Sequence, residues 1–380
     1  MSNNFLILGD PHIGAGSNLS KTIGNSNTRI NDQVNLLNWT LLEAISNDCN
    51  RIIITGDVFD DPKPNHDIIS IFIKFIKECV DNDISIDIIM GNHDFLRTGN
   101  NYYSPLDIIS NLDLDNVTVH NSFTTVFIEN NTAITFMPFR DRKSLSCDSN
   151  KEAIDKLFYI MNYETASIPD FCTKIAIGHF AIEGSIYVGN ELDDIANELF
   201  CPISLFKNYD HVWMGHIHEY QELEKNIFHI GSMDLSSFNE NPNKNIVIFN
   251  TENKSFFTKK IPVKTLSKLT IEVPDGQNAN EYVKSFLSNK SLKNTIVKID
   301  VVTKNKDPLN KKEIESLLLN SGAIISNIHE SKKITSEIKK TNISNKLDVK
   351  ESIKLYADLL QEDKRADFIE LANEILKELK

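Results

Sequence analysis

Five short polar clusters, each led by a glycine, hold the residues of this chain best suited to chemistry. They are Gly9-Asp10-Pro11-His12, Gly56-Asp57-Val58-Phe59-Asp60, Gly91-Asn92-His93-Asp94, Gly178-His179 and Gly215-His216-Ile217-His218. Together Asp10, His12, Asp57, Asn92, His179, His216 and His218 offer two carboxylates, one amide and four imidazoles. Nitrogen and oxygen ligands without thiolate suit manganese, iron or zinc. Seven ligands are too many for one tetrahedral ion but suit two ions that share a carboxylate. Two ions about 3.5–4 Å apart clamp both oxygens of an in-line phosphoryl displacement and supply a nucleophile near neutral pH. Each cluster alone has a plainer reading, since Gly-Asp after a strand is a common turn and a lone histidine is commonly structural. Gly215-His216-Ile217-His218 is the most specific, because alternation puts both imidazoles on one side of an extended segment. The conjunction, in this order, carries the argument. His66 reads as a helix-start residue, and His120, His211, His229 and His329 read as structural.

Each cluster follows an apolar run of strand length: Phe5–Leu8, Arg51–Thr55, Ile84–Met90, Thr173–Ile177 and His211–Met214. Helical patterns intervene at 30–46, where Ile30, Val34, Leu37, Leu41 and Ile45 share a face, at 66–80 and near 150–163. A helix-like patch covers 191–206. Further strands are expected at Val117–His120, Phe123–Ile128, Thr132–Phe136 and in short pieces between 220 and 260. Strand–helix alternation argues for parallel βαβ units. The carboxyl ends of parallel strands share one edge, where ligands bind, so all five clusters should converge. The glycines let the chain leave each strand without a Cβ clash, in conformations other residues avoid. The pattern is that of a two-layered or sandwiched α/β domain over residues 1–262. A small α/β module is expected at 265–330, a basic linker at 331–347 and two capped helices at 348–380 with apolar stripes (Ile353, Tyr356, Leu360; then Phe368, Leu371, Ile375, Leu379).

The 380 residues are 41% apolar and 24% charged, an ordinary globular composition that excludes wholesale disorder and fibres. No run approaches the roughly 18 apolar residues of a membrane span, and the first residues show no signal peptide. Five scattered cysteines without a C-x-x-C pair exclude a zinc ribbon and fit a reducing, cytoplasmic setting. Charge is uneven: residues 261–380 carry 21 Lys/Arg and 18 Asp/Glu, and residues 1–260 carry 19 and 35. Such an acidic body repels phosphates unless bound cations or local patches overcome its field.

In this order the clusters resemble the motifs of the calcineurin-like metallophosphoesterases, D-x-H, G-D-x-x-D, G-N-H-D/E, G-H and G-H-x-H. Within them, Asp10-Pro11-His12-Ile13-Gly14, Pro62 and Pro64 after the second cluster, and Gly231-Ser232 before Phe238-Asn239-Glu240 are similar to the SbcD-type nuclease subunits of DNA break repair, phage versions included. Phosphoprotein phosphatases of the superfamily usually carry Arg-Gly and Glu where Asp61-Pro62 and Asp94 stand here. Glu219 departs from the basic or Pro-containing continuation frequent after the last motif. The resemblance implies a two-sheet αββα domain, a small α/β capping domain and C-terminal helices. It implies two Mn(II) ions, with Mg(II) as a substitute: one held by Asp10, His12, Asp57 and His218, the other by Asp57, Asn92, His179 and His216. His93 would protonate the leaving oxygen, and Asp60 would orient His93. The implied reaction is exonucleolytic attack on duplex DNA ends with endonuclease activity on single strands. The implied partner is an SMC-like coiled-coil ATPase docked through 348–380, and the implied assembly a homodimer. Lacking G-x-x-x-x-G-K-[ST], this chain does not supply the ATPase. Two competing readings are a nucleotide or cyclic-nucleotide phosphodiesterase, which usually lacks such a C-terminal third, and a binding protein with a dead site, against which the complete ligand set and His93 count.

Overall fold

The computed structural model describes residues 3–332, apart from 17–18, 20–21, 24–25, 99–100, 188–197, 289 and 304–307, and beyond them Arg365, Phe368, Ile369 and Ala372. Two six-stranded sheets lie face to face. The first runs Ser255–Lys260, Asn245–Asn250, Asn4–Leu8, Cys49–Ile54, Ser85–Ile89, Val117–His120. Its last four strands are parallel. The second runs Gln221–Glu224, Ile227–His229, His211–Gly215, Thr173–His179, Thr132–Met137, Thr124–Ile128, with its four inner strands parallel.

Central parallel strands are covered on both faces, so they read as continuous apolar runs. Period-two alternation then sorts the side chains. Phe5, Ile7, Ile53 and Ile89 point between the sheets and meet Phe136, Ile177, Trp213 and Phe228. Leu6, Leu8, Ile52 and Ile54 point the other way, onto Phe72 and Ile76 of the His66–Asp81 helix and Leu37 of the Thr28–Ser46 helix. Behind the second sheet, Ala176, Val212 and Met214 pack on Leu157 and Met161 of the Asn150–Ala166 helix. The layers are therefore helix, sheet, sheet, helix, as expected. All five cysteines are buried and unpaired. Among the described residues no helix is long and apolar enough to cross a membrane.

Three expectations change. The buried face of the Thr28–Ser46 helix is rotated: Ile45 is exposed, whereas Arg29, Asp32 and Gln33 are buried. These polar groups tie loops rather than fill a core. Gln33 Nε2 donates to the carbonyls of His12 and Ala15 at 3.1 and 3.4 Å, and its Oε1 accepts from the Gly14 amide at 3.0 Å. Arg29 pairs with Asp234 at 2.8 Å. The patch at 191–206 is not one helix. Residues 191–197 lie outside the described residues, Phe200–Cys201 is a short strand, and Ile203–Phe206 is a single 3₁₀ turn. Pro202, which lacks an amide hydrogen, separates the two. Third, the five clusters leave two sheets rather than one: the first three end strands of the first sheet, the last two strands of the second.

Beyond residue 262, strands Thr265–Glu272, Thr295–Thr303 and Ile324–Lys332 form a separate parallel sheet. Helices Ala279–Ser288 and Lys311–Asn320 cover it through Val283, Leu287, Ile314 and Leu318. The last strand extends to Lys332, inside the stretch expected as linker. The rest of that linker and the helices expected over 348–380 lie outside the described residues, save the four helical residues named above.

Candidate metal centre

The first two clusters are zipped together by their backbones. The His12 amide donates to the Asp57 carbonyl at 2.9 Å, and the Ile13 amide to the Val58 carbonyl at 2.8 Å. Strain falls on three of the expected ligand residues: His12, Asp57 and His216 have φ of 42°, 45° and 84°. Such left-handed conformations cost of order 1–3 kcal/mol each and persist where the surroundings over-determine them. Of the five leading glycines only Gly56 needs a positive φ, 122°. The others are required by close approach. A Cβ on Gly91, for example, would stand 2.1 Å from Asp57 Oδ1.

All seven expected ligands converge where the sheet edges meet. The Asp57 carboxylate is central. Its Oδ1 accepts from the His93 amide at 2.8 Å. Its Oδ2 lies 3.5 Å from His12 Nε2 on one side and 3.3 Å from His179 Nε2 on the other. On the first side, His12 Nε2 faces His218 Nε2 at 3.0 Å, and Asp10 completes a ligand triangle with them. On the second side, Asn92 Oδ1 stands 2.8 Å from His179 Nε2 and 2.9 Å from His216 Nδ1.

The donor set fits two cations on grounds of hydrogen-bond chemistry. His179 Nδ1 donates to the Thr55 carbonyl at 3.0 Å, so in the neutral ring Nε2 carries a lone pair. That lone pair meets the oxygens of Asn92 and Asp57, three acceptors facing one another. Atoms that share a cation at about 2.1 Å each stand roughly 3 Å apart, which is the spacing found here. The carboxylates also draw positive charge to this spot: without an ion they hold a proton on each of the two rings nearest them. Burial opposes charge on His12, yet the carboxylates of Asp60, Asp57 and Asp10 lift its imidazole to about 9. Burial likewise opposes charge on His179, and Asp57 and Asp10 carry it to about 9. Burial and a neighbouring imidazole hold two further rings well below the usual histidine range and so neutral, His179 acting on His216 and His12 on His218. Asp10 is raised, first by burial. Burial also opposes the charge of Asp57, but His179, with His93 and His12, holds that carboxyl well below the usual range.

His93 lies beside the first position, its ring 4.9 Å from that of His12 and nearly perpendicular. Its Nδ1 donates to the backbone carbonyl of Asp60 at 2.7 Å, which leaves Nε2 for a substrate. The Asp60 carboxylate does not make that bond; it turns to His12, 3.6 Å from Nδ1. The expected orienting role therefore falls to the main chain of Asp60.

Three supporting groups had no role assigned from the sequence, although Asp94 closes the third cluster. Asp94 accepts from the amides of Val58, Phe59 and Gly91 at 3.2, 3.1 and 3.0 Å, locking the third cluster onto the second. Burial, and then the charge of Asp57, push its carboxyl up to about 6 against those amides. Buried Lys244 donates to Glu240, to Ser232 Oγ and to the His218 carbonyl at 2.7–2.8 Å, which fixes the last cluster from below. Glu198, in an acidic stretch that nothing marks, accepts from His216 Nε2 and from the Tyr187 hydroxyl. A carboxylate on the far nitrogen of a ligating imidazole fixes its tautomer and raises its basicity. Glu198→Gln is therefore expected to weaken metal binding at the Asn92–His179–His216 position by about 10–100-fold and leave the Asp10–His12–His218 position nearly unchanged. Titration calorimetry checks this; loss of both ions, or of neither, contradicts it.

The chain is similar to several known proteins. The family model described as calcineurin-like phosphoesterase matches residues 4–220, which contain every expected ligand. The SbcD component of the nuclease SbcCD from Staphylococcus saprophyticus is 26% identical over 345 residues, covering 82% of this chain and 88% of that protein. The DNA double-strand break repair protein Mre11 of Methanosarcina acetivorans is 20% identical over 317 residues, covering 81% of this chain; the match spans 48% of that longer relative. The crystal structure of a dimetal phosphatase from Danio rerio aligns with 69% of this chain and all of its own at 8% identity and a TM-score of 0.41. With a match over more than half of the chain that contains all seven expected ligands, the chain belongs to the calcineurin-like phosphoesterase family.

Proposed function

We propose that this protein is a manganese-dependent DNA nuclease, acting as an exonuclease on duplex ends and an endonuclease on single strands. The observation that carries the reading is the Asp57 carboxylate oxygen set between two nitrogen-rich ligand groups, with His93 beside them. Asp10, His12, Asp57 and His218 would hold one Mn(II), and Asp57, Asn92, His179 and His216 the other, with Mg(II) as a substitute. Bound there, the ions would neutralise the phosphate and supply the nucleophile. The remaining chemistry belongs to the chain. Asp57 orders the His93 main chain, and the Asp60 carbonyl aims the His93 ring. That ring protonates the leaving oxygen. DNA is favoured over smaller phosphodiesters by the relatives that are named nuclease and break-repair proteins and by the folded module after residue 262.

In this reading residues 1–262 are the nuclease domain, 265–330 the capping domain, 331–347 a linker and 348–380 the docking segment for an SMC-like ATPase. Two copies of the chain form a homodimer. The test is digestion of end-labelled duplex and single-stranded DNA with Mn(II), with and without a candidate ATPase. Hydrolysis of nucleotide diesters but not DNA would favour the smaller-substrate phosphodiesterase. All ligands precede residue 219, so truncation after residue 335 should leave manganese nuclease activity while abolishing association with the ATPase and its stimulation by ATP. Co-elution of the truncated chain with the ATPase would place docking elsewhere.

A further inference from the structure

A cavity of about 420 Å³ opens beside the Gly91–Asp94 loop, walled by Met90, Phe95, Tyr103 and Phe139, with Asn121 and Asp107 on its polar side. Phe139 is the partition between this cavity and the metal centre. Its ring lies 6.1 Å from that of His216, inclined at 28°, and 5.7 Å from that of Phe95. Its amide donates to the Met90 carbonyl at 2.9 Å, which ties the wall to the strand that delivers Asn92 and His93. The cavity therefore begins one aromatic ring away from a ligating imidazole.

The lining selects the occupant. The volume lies in the range of small-molecule sites, about 300–1,000 Å³. Three aromatic rings favour a flat π-system, and Asn121 can pair with its polar edge. The Asp107 carboxylate disfavours a phosphate. Arg140, at the same cavity, spends donors on the carbonyls of Phe139, at 2.6 Å, and Asn121. A neutral, planar group joined to a phosphodiester is a nucleobase. We propose that this cavity receives one unstacked base next to the scissile phosphate, so that the enzyme holds a frayed end or a single strand by its base. The inference rests on the nuclease reading and adds to it a subsite and its specificity. Stacking of this kind tolerates any base, because every base has a π-face.

The experiment uses the full chain with Mn(II) and a single-stranded oligonucleotide. A second set of oligonucleotides is identical except that the terminal nucleotide, at the 5′ or the 3′ end, lacks its base. Wild-type protein is expected to cut the intact strand about 5–100-fold faster than one of the two abasic strands, the range that base–aromatic stacking spans. Tyr103 is 56% exposed, so Tyr103→Ala should fold, and it should cut the intact strand more slowly with a smaller ratio between the two substrates. Phe95→Leu serves as the second variant and should shrink the ratio in the same way. Wild-type protein that cuts intact and abasic strands equally overturns the subsite while leaving the nuclease reading standing. An unchanged ratio in both variants also overturns it. Wild-type protein that cuts no oligonucleotide overturns the nuclease reading, and the subsite with it.

Discussion

Asp57→Asn is expected to remove both Mn(II) ions and, with them, all measurable turnover. The reason is geometric. The His93 amide donates to Asp57 Oδ1, so an asparagine must present its own oxygen there to keep the bond. Its NH₂ then replaces Oδ2, between His12 Nε2 and His179 Nε2. A donor stands where two cations need a shared negative oxygen. Partners that touch only a ligand typically cost 10–100-fold in metal affinity; the loss here should exceed that at both positions. The fold should survive, because the main-chain contacts among the clusters remain. Metal analysis of the purified variant, beside circular dichroism, checks the claim. Retention of one tightly held ion would show that Asp57 is not shared.

His93→Ala separates chemistry from metal binding. The His93 side chain is outside both ligand sets, so the variant should load two ions and bind DNA as the wild type does. Its turnover should fall by about 10²–10⁴-fold, the usual contribution of general acid catalysis. Loss of an ion on His93→Ala would make His93 a ligand and sink the assignment; the grouping of His93 with His12 and Asp60 makes that outcome worth measuring. Asp60→Asn should reduce turnover far less, since the group that holds His93 Nδ1 is the Asp60 carbonyl, which the substitution leaves in place.

The sequence by itself determined the features that are local. Uninterrupted apolar runs marked the buried parallel strands, because such strands are covered on both faces. A glycine followed by Asp, Asn or His at a strand end marked each of the five clusters, because strand ends are where a chain can turn polar groups toward a shared edge. The small module was legible for the same reason: helix Ala279–Ser288 and its flanking strands follow periodicity alone. Tertiary structure decided what depends on residues distant in the chain. The ligands divide between two sheets because Trp213, Phe228 and Phe136 bury against Phe5, Ile7 and Ile53, a pairing that no local pattern specifies. Arg29 and Gln33 occupy a buried helix face because the partners that satisfy them, Asp234 and the carbonyls of His12 and Ala15, are brought by other segments. The orientation of His93 by a carbonyl rather than a carboxylate, and the seat of Glu198 on His216, rest on hydrogen bonds that form only once these segments meet. Residue type and spacing state what a group can bind; only the packed chain states which atom of which neighbour it reaches.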